Sequence, residues 1–201
     1  LRRPAGAVPA SGQSKNTYRL FLMLILIAGI ALRVWDFGSI PGGVNQDGAM
    51  AAVDAKALAD YGTDRFGTWL PCHLYAWGYG QMSSLMSYLI APLVKLFGLS
   101  VVTMRIPSLL CSIAGGVFFW LFMRDVFGER AGLIAALLVA INPWHLIQSR
   151  WALDCNLLPH FFMGGLYFLN RGLTEKKRFL YISMLFFGLC MYCYGITIYT
   201  V

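Results

Sequence analysis

Five long apolar runs limit this chain to folds that a lipid bilayer can surround. The first, Leu20–Leu32, lies between Arg19 and Arg33 and predicts a span of about 18–20 residues once both arginines extend toward the membrane surfaces. Four more runs follow at Ile106–Met123, Ala131–Gln148, Leu157–Leu169 and Phe179–Val201. Only 12% of the residues are charged, against roughly 25% in a soluble domain. Because a backbone in lipid must satisfy its own hydrogen bonds, the runs predict an all-α polytopic membrane protein with about five transmembrane helices.

The positions of the basic residues predict how these helices are oriented. Most of the 16 lysines and arginines fall in residues 1–19, 124–130 and 171–178, and positive charges favour the cytoplasmic side. Residues 1–17 are then expected to be a disordered cytoplasmic tail, and residues 33–100 a large external loop. Asp47 and Asp154 both fall on the external side. The net charge of +7 is explained by this arrangement, and no nucleic-acid-binding motif accompanies it, so no nucleic-acid partner is expected.

The ends of the chain suggest a piece of a larger protein. The sequence lacks an initiator Met and stops inside the last apolar run. We therefore expect residues 18–201 to be the N-terminal part of a longer transmembrane domain.

The external loop contains two amphipathic segments. In the first, apolar residues recur at helical spacing up to a helix stop at Gly62; they are Met50, Val53, Ala57, Leu58 and Tyr61. The second, Met82–Phe97, contains Pro92 and is short for a span. Both are expected to be helices lying along the membrane surface, with an ordered aromatic loop, Tyr61–Gln81, between them. The remaining acids of this loop, Asp54, Asp60 and Asp64, are expected to be solvated or to form turns.

Asp47 and Asp154 are the candidate chemical groups. Asp47 follows Gly42 and Gly43 where a glycine-rich turn becomes a helix, and Asp154 lies in Asn142–Asn156 together with His145, Arg150 and Asn156. A carboxylate at a dry interface can act as general base on a hydroxyl or amine. An arginine can bind a phosphate with two parallel hydrogen bonds. Two carboxylates with a histidine could also hold a divalent cation.

Each of these residues also has a purely structural interpretation. Asp47 is well placed to be the N-cap of the helix that follows it. Arg150 could anchor a helix end at the interface, and His145 beside Trp144 could belong to an aromatic belt. Cys190 and Cys193 are expected to be small core residues, while a Cys72–Cys155 disulfide stays open if both face an oxidising compartment.

Several segments carry a resemblance to a known family. They are Arg33, Pro41–Pro71, Ala76–Gln81, Leu96–Leu110 and Ile141–Pro159, which together cover most of residues 33–160. In order and spacing they resemble the GT-C membrane glycosyltransferases, specifically the dolichyl-phosphate-mannose-dependent protein O-mannosyltransferases and bacterial relatives such as the aminoarabinose transferase of lipid A. The resemblance implies a GT-C fold with two surface-lying helices in the first external loop. It also implies inverting transfer of a sugar from a polyprenyl phosphate.

The resemblance also assigns roles to individual residues. Asp47 matches the first-loop acid of the family, Asp154 the second-loop acid, and Arg150 the arginine that precedes it. The usual first-loop pair is Asp-Glu, and Gly48 stands where the glutamate would be. The catalytic subunit of oligosaccharyltransferase, a more distant relative, is similar to N-x-D-G at this place.

The resulting hypothesis is a polyprenyl-phosphate-sugar-dependent glycosyltransferase in the plasma (inner) membrane of a prokaryote, with its active site outside. Asp47 would be the base, and Asp154 would position the acceptor or hold a divalent cation with Asp47. Arg150 would meet the donor phosphate. Asn45, Gln46, Gln81 and Asn156 are expected to complete the substrate site. The partners would be the lipid-linked donor, membrane lipid and an acceptor that is a protein, a lipid or a glycan.

Two rival functions remain at this stage. A transporter or lipid-linked-sugar flippase would carry charged residues within its spans, yet Ala131–Ile141 and Leu157–Leu169 contain no ionisable residue other than His160. A non-catalytic GT-C relative is the other alternative, and Gly48 in place of the glutamate is its motive.

Overall fold

The computed structural model describes residues 12–76, 78 and 80–195, and within them the chain is mainly helical. The helices are α1 (Gly12–Val34), α2 (Gln46–Tyr61), α3 (Leu85–Phe97), α4 (Val101–Phe127), α5 (Glu129–Ile141), α6 (Pro143–Gln148), α7 (Leu158–Thr174) and α8 (Arg178–Cys190), with a short 3-10 turn at Asp154–Leu157. Strands β1 (His73–Ala76) and β2 (Gly80–Ser83) form an antiparallel hairpin that pairs His73 with Ser83. Most of the expected tail, residues 1–11, and the end of the last apolar run, residues 196–201, lie outside the described residues. Residues 12–17 belong to α1 and are helical, not a tail.

Two helices in the described part of the chain are long and apolar enough to cross a membrane, Lys15–Val34 and Val101–Phe127. Large apolar side chains of α1 remain exposed, Leu24 at 53% and Ile27 at 63%. A helix with such a surface is not the core helix of a soluble protein, because exposed apolar patches of this size mark contact with lipid or a partner. The five-span layout itself remains a prediction.

The predicted span Ala131–Gln148 is wrong as a single helix. Helix α5 ends at Ile141, and Asn142 then caps α6 by accepting the N–H of His145 at 3.1 Å. Pro143 occupies the first position of α6, where a missing N–H costs nothing. With 13 residues, α5 is about 20 Å long, shorter than the roughly 30 Å hydrocarbon layer.

Helices α2 and α3 and the hairpin pack into one layer on the start of α4. Ala51, Ala55, Leu74, Met86 and Ile90 are its fully buried centre. The two helices are also joined by hydrogen bonds, since the Ser87 hydroxyl donates to the Ala51 carbonyl at 2.9 Å. Strand β1 and the first half of β2 lie in Tyr61–Gln81, which the sequence predicted only as an ordered aromatic loop. Strand β2 continues to Ser83, so the start of the predicted helix Met82–Phe97 is a strand.

A helix is present over residues 50–61, as predicted, but the face that it packs against the protein is not the predicted apolar stripe. The residues that α2 buries are Gly48, Ala51, Ala52, Asp54 and Ala55. Val53 and Tyr61, both placed on the predicted stripe, are 49% and 79% exposed. Small side chains face inward here because α3 packs closely against them, so the bulkier residues turn outward.

The three loop acids have different environments. Asp54 is buried and accepts hydrogen bonds from the backbone N–H and the guanidinium of Arg65 at 3.1 and 3.2 Å, so its predicted solvation is wrong. Burial raises the pKa of Asp54, and the neighbouring Arg65 opposes that rise. Asp64 forms a turn, as predicted, by accepting the N–H groups of Phe66 and Thr68. Asp60 pairs with Lys56 on the surface of α2.

An aromatic cluster joins α4, α7 and α8. The ring of Phe118 contacts those of Tyr167, Phe168 and Phe186 at centroid distances of 5.5–5.8 Å. Cys190 and Cys193 are fully buried, in agreement with the prediction. Cys72 and Cys155 are both free thiols, so they do not form the disulfide left open above.

Candidate active site

Asp47 lies in the first turn of α2, and a neighbouring residue supplies the cap. The Asn45 side chain accepts the N–H of Asp47 at 2.8 Å while its own backbone is extended, as an N-cap requires. The capping interpretation of Asp47 is therefore wrong, because Asn45 already fills that position. Asp47 is exposed.

A buried arginine fixes the loop that leads into α2. The Arg105 guanidinium, on α4, donates to five backbone carbonyls at 2.7–3.3 Å; they belong to Phe37, Gly38, Ile40, Pro41 and Gly43. Arg105 is 2% exposed. Sequence reasoning missed this role, because its partners lie more than 60 residues away along the chain. The loop before Asn45 and Asp47 is thus tied to a membrane-length helix.

We expect Arg105→Lys to lower stability by about 1–3 kcal/mol, the usual cost of leaving buried polar groups unpaired. A lysine keeps the charge, but its three N–H donors on one atom cannot reproduce the fork that serves five carbonyls. Thermal melting of the purified protein in detergent measures this loss. Arg130→Lys, at an exposed arginine, is the control. Equal melting temperatures for both variants would show that the carbonyl contacts of Arg105 contribute nothing.

Asp154 opens the short 3-10 turn between α6 and α7 and is 9% exposed. Its carboxylate accepts the N–H of Cys155 at 2.8 Å and a backbone hydrogen bond from Ser83 on β2. Burial raises the pKa of Asp154; those two hydrogen bonds oppose the rise, and the negative charge of Asp47 adds to it. Of the two acids, Asp154 is therefore the buried carboxyl group whose pKa is raised.

Asp47 and Asp154 line one cavity of about 310 Å³. The other lining residues are Ala76, Gln81, Met82, Ser83, Tyr194 and Gly195. The two acids are 107 positions apart in the chain, and the fold brings them together where α2, the hairpin and the turn before α7 meet. The two acids therefore lie on the same face of the protein, and their predicted location on the external side of the membrane stays a prediction. Met82, Ser83 and Tyr194 were not foreseen as part of this site.

Of the expected substrate residues, Gln81 lines this cavity, Asn45 and Asn156 have structural partners, and Gln46 is exposed. Asn45 is the cap described above, and Gln46 is the exposed first residue of α2. Asn156 is 3% exposed and donates to the carbonyls of Trp151 and Gln148, which fixes the turn that carries Asp154.

Arg150 also binds backbone. Its guanidinium donates to the carbonyls of Leu32 and Trp35 at the end of α1. Its Nε is buried and has no hydrogen-bond partner among the described residues. As the structure stands, Arg150 ties the segment before Asp154 to α1.

His145 contacts Arg33 instead of either acid. Arg33 is 3% exposed and donates to the Gly29 and Val139 carbonyls and to Nδ1 of His145, all within 2.8 Å. Because a guanidinium can only donate, His145 is neutral and its ring proton lies on Nε2. His145 thus belongs with the buried Arg33 and does not join the two acids as a cation ligand.

The arrangement suits proton transfer beside two carboxylates. One acid is exposed and the other is buried with a raised pKa, a difference that separates the roles of paired carboxyl groups. Within residues 12–76, 78 and 80–195 no group of three or more His, Cys, Asp or Glu side chains gathers to hold a metal. Any cation at this site would rest on the two carboxylates and neutral oxygens.

The comparisons with known proteins point to one family. A family model described as dolichyl-phosphate-mannose-protein mannosyltransferase matches residues 82–201. The match begins at Met82, so it includes the turn with Asp154 but neither Asp47 nor Gln81. No curated protein and no solved structure gives a significant match. Over more than half of its length, then, the chain carries the pattern of this family, and it belongs to the dolichyl-phosphate-mannose-protein mannosyltransferases, which are membrane glycosyltransferases of the GT-C type.

Proposed function

We propose that the protein transfers a sugar from a polyprenyl-phosphate donor to an acceptor at the external membrane face, with inversion. The observation that carries this proposal is the shared cavity of Asp47 and Asp154 in a chain of this family. The acceptor is a protein hydroxyl, lipid A or a cell-wall glycan. The membrane is the plasma membrane of a prokaryote, and the N-terminus is cytoplasmic.

In this proposal Asp47, the exposed carboxylate, takes the proton of the acceptor hydroxyl or amine. The acceptor atom forms a bond to the anomeric carbon while the bond from that carbon to the phosphate oxygen breaks. The phosphate departs with the electron pair. Since attack and departure occur on opposite sides of the carbon, the configuration inverts.

Asp154 and Gln81 position the acceptor against Asp47. In this role the Asp154 carboxylate accepts a hydrogen bond from the acceptor. Because its pKa is raised, Asp154 reaches the carboxylate form at a higher pH than an ordinary aspartate. Arg150 is proposed to meet the donor phosphate through charge-assisted hydrogen bonds.

A divalent cation is a separate part of the proposal. Oxygen ligands suit Mg²⁺ and Mn²⁺, and Asp47 and Asp154 would be its protein ligands. When bound, such a cation would neutralise charge on the departing phosphate. We expect EDTA to abolish transfer in washed membranes and added Mg²⁺ or Mn²⁺ to restore it. Unchanged transfer in EDTA would show that the carboxylates act without a metal.

Donor consumption tests the proposed function. Membranes that contain the full-length protein receive a set of radiolabelled polyprenyl-phosphate sugars, and the label remaining in the lipid is followed over time. We expect one donor to be consumed and its sugar to appear in product with the opposite anomeric configuration. Membranes without the protein are the control. If no donor in the set is consumed above that control, or if configuration is retained, the proposal is wrong.

The rival functions have less support. Arg33 and Arg105, the buried charges of the two membrane-length helices, are bonded to backbone carbonyls, so they anchor loops and do not line a path for a transported ion. The reason for considering a non-catalytic relative was Gly48, and this glycine has a packing reason, because a Cβ atom there would lie 2.4 Å from the Ala152 carbonyl oxygen.

A further inference from the structure

Gly48 lies in close contact with the segment that carries Asp154. A Cβ atom on Gly48 would lie 2.4 Å from the carbonyl oxygen of Ala152 and 3.5 Å from Cε of Met104. Real Cβ atoms essentially never approach another heavy atom within 3.0 Å. The neighbour is a backbone carbonyl, which cannot swing aside as the end of a long side chain can.

This contact is adjacent in sequence to both acids. Gly48 directly follows Asp47, and Ala152 comes two residues before Asp154. The distance between α2 and the 151–154 segment therefore determines how far apart the two carboxylates stand.

The carbonyl side of the contact is held firmly. The Trp151 carbonyl accepts hydrogen bonds at 2.9 Å from the Ser108 hydroxyl and from the Asn156 amide. The Ser83 backbone binds Asp154 from the hairpin. A side chain at position 48 would then push the first turn of α2, with Asp47, away from this fixed segment.

We propose that Gly48 is a positioning residue, which brings Asp47 within working distance of Asp154 because it has no side chain. The proposal rests on the proposed function for its catalytic meaning. It also explains the departure from the Asp-Glu pair, since a glutamate at position 48 would collide with the Ala152 carbonyl in this arrangement.

Helix propensity alone predicts that Gly48→Ala is harmless, which is the opposite of what the close contact predicts. In a helix where space permits, alanine is more stable than glycine by roughly 0.5–1 kcal/mol. If Gly48 had no packing role, Gly48→Ala would be neutral or stabilising. The close contact predicts instead that the same change separates the two acids.

The matched control is Gly42→Ala. Gly42 lies in the loop before α2, has nothing within 4 Å of its would-be Cβ, and has no positive φ. The Gly42→Ala substitution therefore adds a methyl group near Asp47 without altering the distance between α2 and Ala152.

The first readout is donor consumption in membranes, per amount of folded protein. We expect kcat of Gly48→Ala to fall by about 10- to 100-fold, since a shift of about 1 Å in a reacting group can cost 10²-fold, with KM for the donor unchanged. Gly42→Ala should stay within about twofold of wild type.

The second readout does not depend on activity. Cys155 directly follows Asp154, which lines the same cavity as Asp47, so Asp47→Cys should be linked to Cys155 by a short bifunctional maleimide. Mass spectrometry of the linked peptides identifies the product among the other cysteines. We expect the link in Asp47→Cys and in Asp47→Cys/Gly42→Ala, and a much lower yield in Asp47→Cys/Gly48→Ala.

The outcomes separate the two proposals. Equal linking in all three backgrounds would overturn the positioning role of Gly48, even if wild type proved inactive. Wild type without donor consumption, but with linking lost in Asp47→Cys/Gly48→Ala, would keep the positioning role and overturn the glycosyltransferase. If Gly48→Ala does not accumulate, the double variant Gly48→Ala/Ala152→Gly replaces it, because a glycine at position 152 gives the backbone more freedom to move its carbonyl away. We expect this double variant to accumulate and to react slowly. Wild-type linking and a wild-type rate in the double variant would contradict the proposal.

Discussion

Asp47→Asn is expected to reduce donor consumption by roughly 10²- to 10⁴-fold, the usual contribution of a general base. The substitution removes the proton acceptor and keeps the size of the side chain. It should leave the fold intact, because the N-cap of α2 is Asn45 and not Asp47. The rate is measured in membranes with saturating labelled donor, and the folded amount by size-exclusion chromatography in detergent.

Asp60→Asn is the matched control for this experiment. It lies on the same helix, pairs with Lys56 on the surface, and such exposed pairs contribute about 0.2–1 kcal/mol at most. Its rate should equal that of wild type. Loss of activity in Asp60→Asn, or full activity in Asp47→Asn, would remove Asp47 from the chemistry and leave Asp154 as the next candidate base.

Asp154→Asn is expected to cause the second-largest loss of activity, about 10- to 100-fold, together with a changed pH profile. Asparagine keeps an oxygen that accepts the N–H groups of Cys155 and Ser83, so the turn should hold. Because the pKa of Asp154 is raised, the wild-type rate should rise as pH increases through a value above the ordinary aspartate range. That limb should be absent from Asp154→Asn, since asparagine does not titrate.

The same raised pKa predicts an effect on stability whose sign can be worked out. A carboxyl group that holds its proton more tightly when folded stabilises the folded state below its ordinary pKa, and this contribution is lost as pH rises through the raised value. The stability of Asp154→Asn relative to wild type should therefore be higher at pH 8 than at pH 5. A retained acid limb, or a selective loss of thermal stability at pH 8, would show that another group titrates.

The sequence predicted only that Asp47 and Asp154 lie on one side of the membrane, from the apolar runs and the distribution of basic residues. The structure adds that they share a cavity. Such long-range agreement is possible because a membrane reduces the problem to which side of a helix each loop occupies.

Local geometry was predicted less well, for identifiable reasons. The stripe on α2 was chosen from the larger apolar residues, but close packing on α3 buries alanines and turns Val53 outward. The break at Asn142 and Pro143 was visible as a cap followed by proline, yet the hydropathy of the run outweighed it. The hairpin has strands of only four residues, too short for an alternating pattern to stand out.

The buried charges could not be predicted from local pattern at all. Arg105 and Asp54 are buried because partners from distant segments satisfy them, five carbonyls in one case and Arg65 in the other. A charged residue in an apolar segment looks the same in sequence whether it anchors a loop or binds a ligand. The packing role of Gly48 could not be predicted for the same reason, since it depends on the carbonyl of Ala152, 104 positions later in the chain.

The most direct test of the central claim, that Asp47 and Asp154 act as one site, is a double-mutant cycle on donor consumption. Single-turnover rates are measured for wild type, Asp47→Asn, Asp154→Asn and the double variant, with the protein in excess over labelled donor. Groups that act as a unit are strongly non-additive, so the double variant should be no slower than the slower single variant. If the two losses multiply instead, the carboxylates act independently and the shared cavity is not a catalytic unit.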